Sequence, residues 1–295
     1  MPQISRRKLL IATLAVGPAL LSLPAASDDR ASELQRRVAD LERRHGGRLG
    51  VAILDTAKIK RMKLFAHRGD ERFPMCSTSK YPTAAFVMAR VDRKQESLTR
   101  WIVYSRDYLV PYSPITEKHV GDVGLTVGEI CEAALTLSDN TAENLLLDSF
   151  GGPAALTGYI RSLGDSVTRL DRREPELNQA IPGDPRDTTT PIAMLEILQK
   201  TILGTALSAS SREQLIAWLV ANKTGDKRLR AGVPKGWRVG DKTGSGPNNV
   251  TNDIAVIWPR GRAPIIVTAY YAGSQASDDE RNAVLSEVGR LAVTV

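Results

Sequence analysis

The chain has 295 residues, 42% of them hydrophobic and 25% charged, with 40 Lys and Arg against 33 Asp and Glu for a formal charge of +7. That length supports one large domain or two packed lobes around a substantial core. No block of basic residues is interleaved with aromatics, which removes support for a nucleic-acid partner, and His45, His67 and His119 are too scattered for a histidine metal site or a Ser-His-Asp triad.

Residues 1–27 read as an export signal. Arg6, Arg7 and Lys8 precede an apolar run from Leu9 to Leu23 that ends in the small residues Ala25, Ala26 and Ser27. About 15 apolar residues fall short of the roughly 20 that span a bilayer, so cleavage rather than anchoring is expected. Ser5-Arg6-Arg7-Lys8-Leu9-Leu10 carries the paired arginines of the twin-arginine route. The mature protein is therefore expected to be periplasmic or secreted, without a membrane anchor.

Leu34, Val38 and Leu41 then mark one face of an amphipathic helix ending near Gly46-Gly47, and Leu49 to Leu54 and Met62 to Ala66 read as strands. From Ser77 to about Ala221 the pattern is mostly helical. Helices are expected at Ser77 to Arg90, Val127 to Leu135, Ala142 to Phe150, Pro153 to Leu163, Pro191 to Leu203 and Ser211 to Asn222. Strands return at Trp237 to Lys242, Asp253 to Trp258 and Pro264 to Tyr271, and Asp278 to Leu291 is helical. This order predicts an α+β fold with one antiparallel five-stranded sheet built from both chain ends. Residues 28–66 and 222–295 form its α/β part, residues 67–221 an inserted helical lobe, and the cleft between them is the pocket.

Three strings occur in order: Ser77-Thr78-Ser79-Lys80, Ser138-Asp139-Asn140 and Lys242-Thr243-Gly244. A serine hydroxyl needs a base within reach, and Lys80, three residues on, shares its helical face. A helix start at Ser77 also offers its backbone N–H to developing negative charge. Ser138 can relay a proton, Asn140 both donates and accepts, and Lys242 with Thr243 presents a cation and a hydroxyl on a strand edge. Such groups suit an anionic substrate containing an amide.

From about Glu33 onward the chain resembles the class A serine β-lactamases, for which S-x-x-K, S-D-N and K-T-G are the defining set. The likeness includes Arg172-Arg173-Glu174-Pro175-Glu176-Leu177-Asn178 and the run from Thr251 to Pro259. It implies that Ser77 attacks the β-lactam carbonyl, with Lys80 or Glu174 acting through a water as the base, a choice left open. Ser138 passes a proton to the ring nitrogen, Asn140 binds the side-chain amide, Lys242 and Thr243 hold the carboxylate beside Gly244, and the N–H groups of Ser77 and Ser245 form the oxyanion hole. Glu174, with Asn178 four residues on, directs the water that frees the acyl group. Arg172 and Asp187 close the neck of a sixteen-residue Ω-loop, and the Glu174-Pro175 bond is expected to be cis.

Arg228 is a second candidate for the substrate carboxylate, because Thr251 stands where some members carry that arginine, and Tyr112 resembles the aromatic wall of the cleft mouth. By count Cys76 and Cys131 suggest a disulfide, but a bridge at Cys76 would constrain the backbone of Ser77, so two free thiols are expected. Cys76 has no cysteine partner at Gly246, and Ser245 with the unpaired Cys76 resembles the branch active on oxyimino-cephalosporins. Pro247-Asn248-Asn249-Val250 and Arg173 depart from the usual pattern. The rival readings are a penicillin-binding transpeptidase or carboxypeptidase, which lacks the deacylating Glu, and a non-catalytic β-lactam sensor, which carries a membrane or signalling segment. A monomer needing neither cofactor nor metal is expected.

Overall fold

A computed structural model describes residues 26–57, 63–121 and 123–295. The expected export signal, save its last two residues, and Met62 of the second expected strand lie outside them. An N-terminal helix, α1 (Ala26–His45), leads into β1 (Arg48–Asp55) and β2 (Lys63–His67). The short strand β3 (Phe73–Pro74) precedes a 3₁₀ turn, Cys76–Ser79, and then α2 (Lys80–Asp92). There follow β4 (Trp101–Ile102), β5 (Leu125–Thr126), α3 (Val127–Thr136), α4 (Asn140–Phe150) and α5 (Gly152–Ser162). Next come β6 (Thr188–Thr189), α6 (Pro191–Leu198) and α7 (Ala209–Val220). The chain closes with β7 (Arg238–Gly246), β8 (Val250–Trp258), β9 (Ile265–Ala272) and α8 (Asp278–Ala292).

Five strands form one antiparallel sheet in the order β2-β1-β9-β8-β7, drawn from both chain ends as expected for this α+β fold. Side chains alternate across a strand, so each strand feeds two layers. Leu49, Val51 and Ile53 of β1 pack with Val267 and Tyr271 of β9 against Leu34, Val38 and Leu41 of α1 and Val284, Leu285 and Val288 of α8. Ala52, Leu54, Ile254, Val256 and Tyr270 point the other way, into the core of the helices between β2 and β7. Both faces are covered, which is why these strands read as continuous apolar runs rather than alternating ones. Among the described residues no helix is long and apolar enough to cross a membrane.

Three differences from expectation bear on the site. The helix expected from Ser77 begins at Lys80, and Ser77 sits in the 3₁₀ turn that feeds it. Pro82 has no N–H to give, so it belongs to a first helical turn, and Cys76 at φ +45° sets the chain on another course just before. Second, the helix at Pro191 is α-helical only to Leu198 and continues as a π turn, Gln199–Leu203, where Thr201 Oγ1 bonds back to Ile197 O at 2.7 Å. Third, the largely helical stretch contains two small ribbons, β3 with β6 and β4 with β5. The first ribbon, extended by Met75 N–H to Asp187 O at 2.9 Å, ties the segment before Ser77 to the end of the Ω-loop.

Candidate active site

The turn carrying Ser77 is held from below. Thr78 donates through N–H and Oγ1 to Met75 O at 3.2 and 2.8 Å, and Asn252 of β8 donates to Pro74 O and Met75 O at 2.9 and 3.1 Å. β7 is one of the sheet's two edge strands and presses against the turn, and only glycine permits the approach. A Cβ on Gly244 would lie 2.7 Å from Met75 O, and one on Gly246 would lie 2.7 Å from Cys76 Sγ. Cys76 and Cys131 are buried and unbridged, and burial pushes the Cys76 thiol up to about 12, which leaves it inert.

Lys80, at the start of α2, is fully buried beneath the turn. Its three ammonium hydrogens go to Ser77 Oγ at 3.0 Å, Asn140 Oδ1 at 3.0 Å and Glu174 Oε1. Burial alone would lower its pKa; the adjacent Glu174 and Glu143 carboxylates outweigh that and hold it above the ordinary lysine value.

Glu174 is only 2% exposed. Its backbone is gripped at both ends by Asn144 of α4, which accepts from Glu174 N at 3.0 Å and donates to Glu174 O at 2.9 Å. Its second carboxylate oxygen accepts from Asn178 Nδ2, the Glu174-Pro175 bond is cis as expected, and Asn178 Oδ1 is a buried acceptor without a protein donor. At the loop's neck Arg172 Nε meets Asp187 Oδ2 at 2.5 Å, and the N–H groups of Asp171 and Arg172 donate to Asp187 Oδ1 at 2.7 and 2.9 Å.

Ser138 stands across the cleft at φ +61°, a left-handed backbone that a serine rarely adopts, and accepts from Lys242 Nζ at 3.0 Å. Asp139 beside it caps α4 through Ala142 N–H and straps down residues 115 and 116 by accepting their N–H groups at 3.0 and 2.9 Å. Asn140 is spent at both ends: Oδ1 on Lys80, and one Nδ2 hydrogen on Pro111 O at 2.9 Å, which leaves one N–H for a ligand. Lys242 is fully buried, and desolvation, aided by the Lys80 charge, pulls it down to about 7.

Ser77, Ser138, Asn140, Asn178, Thr243, Gly244 and Ser245 line one cleft of about 300 Å³, with Arg228 at its end and Tyr112, 60% exposed and at φ +64°, at its mouth. Lys80, Glu174 and Lys242 lie beneath its floor. Arg228 spends four of its five N–H groups on Asn282 Oδ1, Gly244 O, Asn252 O and Ser245 Oγ, so it fixes the backs of β7 and β8 and has one N–H left over. Arg172 and Asp187 are the predicted residues that neither line the cleft nor lie beneath its floor.

Sequence reasoning missed Asn144, Glu143, Ser79 and Thr224. Thr224 lines the cleft and its hydroxyl lies 2.5 Å from that of Thr243. Asn144 and Glu143 are one helical turn beyond Asn140 and Asp139, so the inward face of an α4 starting at the S-D-N string was the available signal.

Comparison with known proteins agrees with this arrangement. The profile of the β-lactamase enzyme family matches residues 33–295. The chain is 45% identical over 286 residues to β-lactamase CTX-M-8 of Citrobacter amalonaticus, covering 97% of this chain and 96% of that one. It is 46% identical over 290 residues to β-lactamase OXY-1 of Klebsiella oxytoca, covering 97% of each. Among solved structures, an ancestral class A β-lactamase superposes with a TM-score of 0.86 at 66% identity, covering 88% of this chain and 99% of that one. A putative class A enzyme of Rhodopseudomonas palustris does so at 0.86 and 58%, covering 89% and 99%. A serine and a buried lysine in contact, a buried glutamate beneath them and near full-length likeness to these enzymes lead to one conclusion: the chain belongs to the β-lactamase enzyme family, as a class A serine β-lactamase.

Proposed function

We propose that this enzyme opens the lactam ring of penicillins and cephalosporins through an ester on Ser77 and releases the product with water directed by Glu174. As Ser77 Oγ bonds to the carbonyl carbon, its proton leaves toward the Lys80–Glu174 pair and the oxyanion collects the N–H groups of Ser77 and Ser245. The ring C–N bond then breaks, and Ser138 delivers a proton to the nitrogen, so that the net transfer is from serine to ring nitrogen. Water held between Glu174 and Asn178 gives its proton to Glu174 and its oxygen to the acyl carbon, and the proton returns to Ser77. Asn140 offers its remaining N–H to the substrate's side-chain amide. Lys242, Thr243 and Arg228 face the substrate carboxylate.

The carrying observation is the chain of contacts from Ser77 Oγ through Lys80 Nζ to Glu174 and on to Asn178, at the foot of a cleft. Glu174 is what separates a hydrolase from an acyl trap such as a penicillin-binding transpeptidase. Export as a monomer to the periplasm or medium, with residues 1–27 removed, completes the reading; all the groups invoked come from a single chain. Mass spectrometry after prolonged exposure to a penicillin tests it. Glu174→Ala should carry one stable adduct on Ser77, and Ser77→Ala none; an adduct on Ser77→Ala would place the nucleophile elsewhere.

A further inference from the structure

The reaction above leaves a buried carboxylate beside Lys80 without a task. Glu143, on the inward face of α4, is fully buried. Its Oε1 accepts from Ser79 Oγ at 2.8 Å and from Thr83 Oγ1 at 3.3 Å. Its Oε2 receives no hydrogen bond, yet lies 3.2 Å from Lys80 Nζ. A carboxylate taken out of water and denied a donor is costly unless a charge compensates it. The compensating charge here is Lys80, whose three hydrogens already point at Ser77, Asn140 and Glu174. The ammonium therefore sits between two carboxylates, one bonded to it and one held against it.

We propose that Glu143 is a positioning residue of catalysis: from α4 its carboxylate keeps Lys80 an ammonium through the working pH range, so that Glu174, through water, is the base that takes the Ser77 proton. This rests on the reading that Ser77, Lys80 and Glu174 perform the reaction, and it resolves the acylation base that the motifs leave open. In that step the Ser77 O–H bond breaks as the O–C bond to the lactam carbonyl forms, and the proton passes through water to Glu174 while Lys80 keeps its own.

Three charged groups face this carboxylate: Lys80 from α2, Glu174 from the Ω-loop and Lys242 from β7. Burial pushes Glu143 up to about 7, against the pull of Lys80, so the charged form prevails on the alkaline side. A simple structural role, bonding Ser79 and Thr83 at the head of α2, needs only an acceptor, which an amide also supplies. Glu143→Gln keeps the shape and removes the charge, and so separates the two roles.

The experiment is a titration of ¹³C-lysine-labelled enzyme by NMR, with Lys80 and Lys242 assigned from Lys80→Ala and Lys242→Ala, beside the pH profile of kcat at saturating penicillin. Removing a carboxylate this close should lower the Lys80 midpoint by about 1–3 pH units and move the alkaline limb of kcat down with it. Glu143→Asp, which keeps the charge but withdraws it by one methylene, should shift both in the same direction by less, and serves if the amide does not fold. An unmoved Lys80 midpoint overturns the proposal, and so does a midpoint that falls while the kcat limb stays. If Lys80 in its neutral form were the base, Glu143→Gln would instead raise kcat near neutral pH. Because Glu174→Ala also loses the proposed base, its Ser77 adduct should form more slowly than the wild-type ester, whereas the absence of an adduct on Ser77→Ala tests the underlying reading separately.

Discussion

The floor of the cleft and its rim are built on opposite terms. In the floor, Lys80, Glu143, Glu174 and Lys242 are all but excluded from water, and most of their polar atoms are bonded to protein. At the rim, Tyr112 and Ser245 stand in solvent and Arg228 spends most of its donors on strand backbone. Charges in a dry, prearranged setting act strongly on a reacting atom and need not reorganise, whereas solvated groups act weakly and adjust. The difference assigns turnover to the floor and substrate preference to the rim.

Undoing the brace of the floor should have the largest effect. Asp187 is 1% exposed and holds Arg172 and two backbone N–H groups. Asp187→Ala strands all three and should destabilise the enzyme by about 3–5 kcal/mol, with deacylation slowed more than acylation as Glu174 loosens. Urea unfolding and single-turnover kinetics check this; a loss near the roughly 0–1 kcal/mol of an exposed pair would mean the neck does not brace the floor.

A smaller effect should come from Lys242, which joins floor to rim. Its pKa is lowered to about 7, so the free enzyme loses the ammonium as pH climbs past neutrality. For substrates with a carboxylate, kcat/KM should then fall about tenfold per pH unit, while kcat holds to higher pH because the bound anion favours the charged form. Parallel profiles would contradict this. The smallest effect is expected for Tyr112→Ala, with KM changed a few-fold, kcat and stability unchanged, and the size varying between penicillins and cephalosporins. A large drop in kcat common to all substrates would move Tyr112 into the catalytic machinery.

What was legible in the chain divides along the same line. Ser77 with Lys80, Ser138 with Asn140, and Lys242 with Thr243 are local patterns, each readable because one helical turn or one strand edge fixes its geometry. The sheet was readable because apolar runs at both chain ends have to be covered on both faces. The ribbon of β3 and β6 was not, since two-residue strands, one containing Pro74, carry no periodicity. Glu143 and Asn144 escaped notice because a helix starting at Asn140, rather than at Ala142, is what turns them onto Lys80 and Glu174. Arg228 was read as a substrate cation because Thr251 stands where some family members carry that arginine, while its partners tie it chiefly to the strands beneath the cleft.

The central claim is that the floor converts a trapped ester into repeated turnover. Counting product per enzyme with a chromogenic cephalosporin tests it most directly, with wild type and Glu174→Ala run side by side from the first milliseconds. The account predicts a linear release of many equivalents from the wild type, and from Glu174→Ala a single equivalent followed by near silence. One equivalent and then silence from the wild type, or sustained turnover by Glu174→Ala, would contradict it.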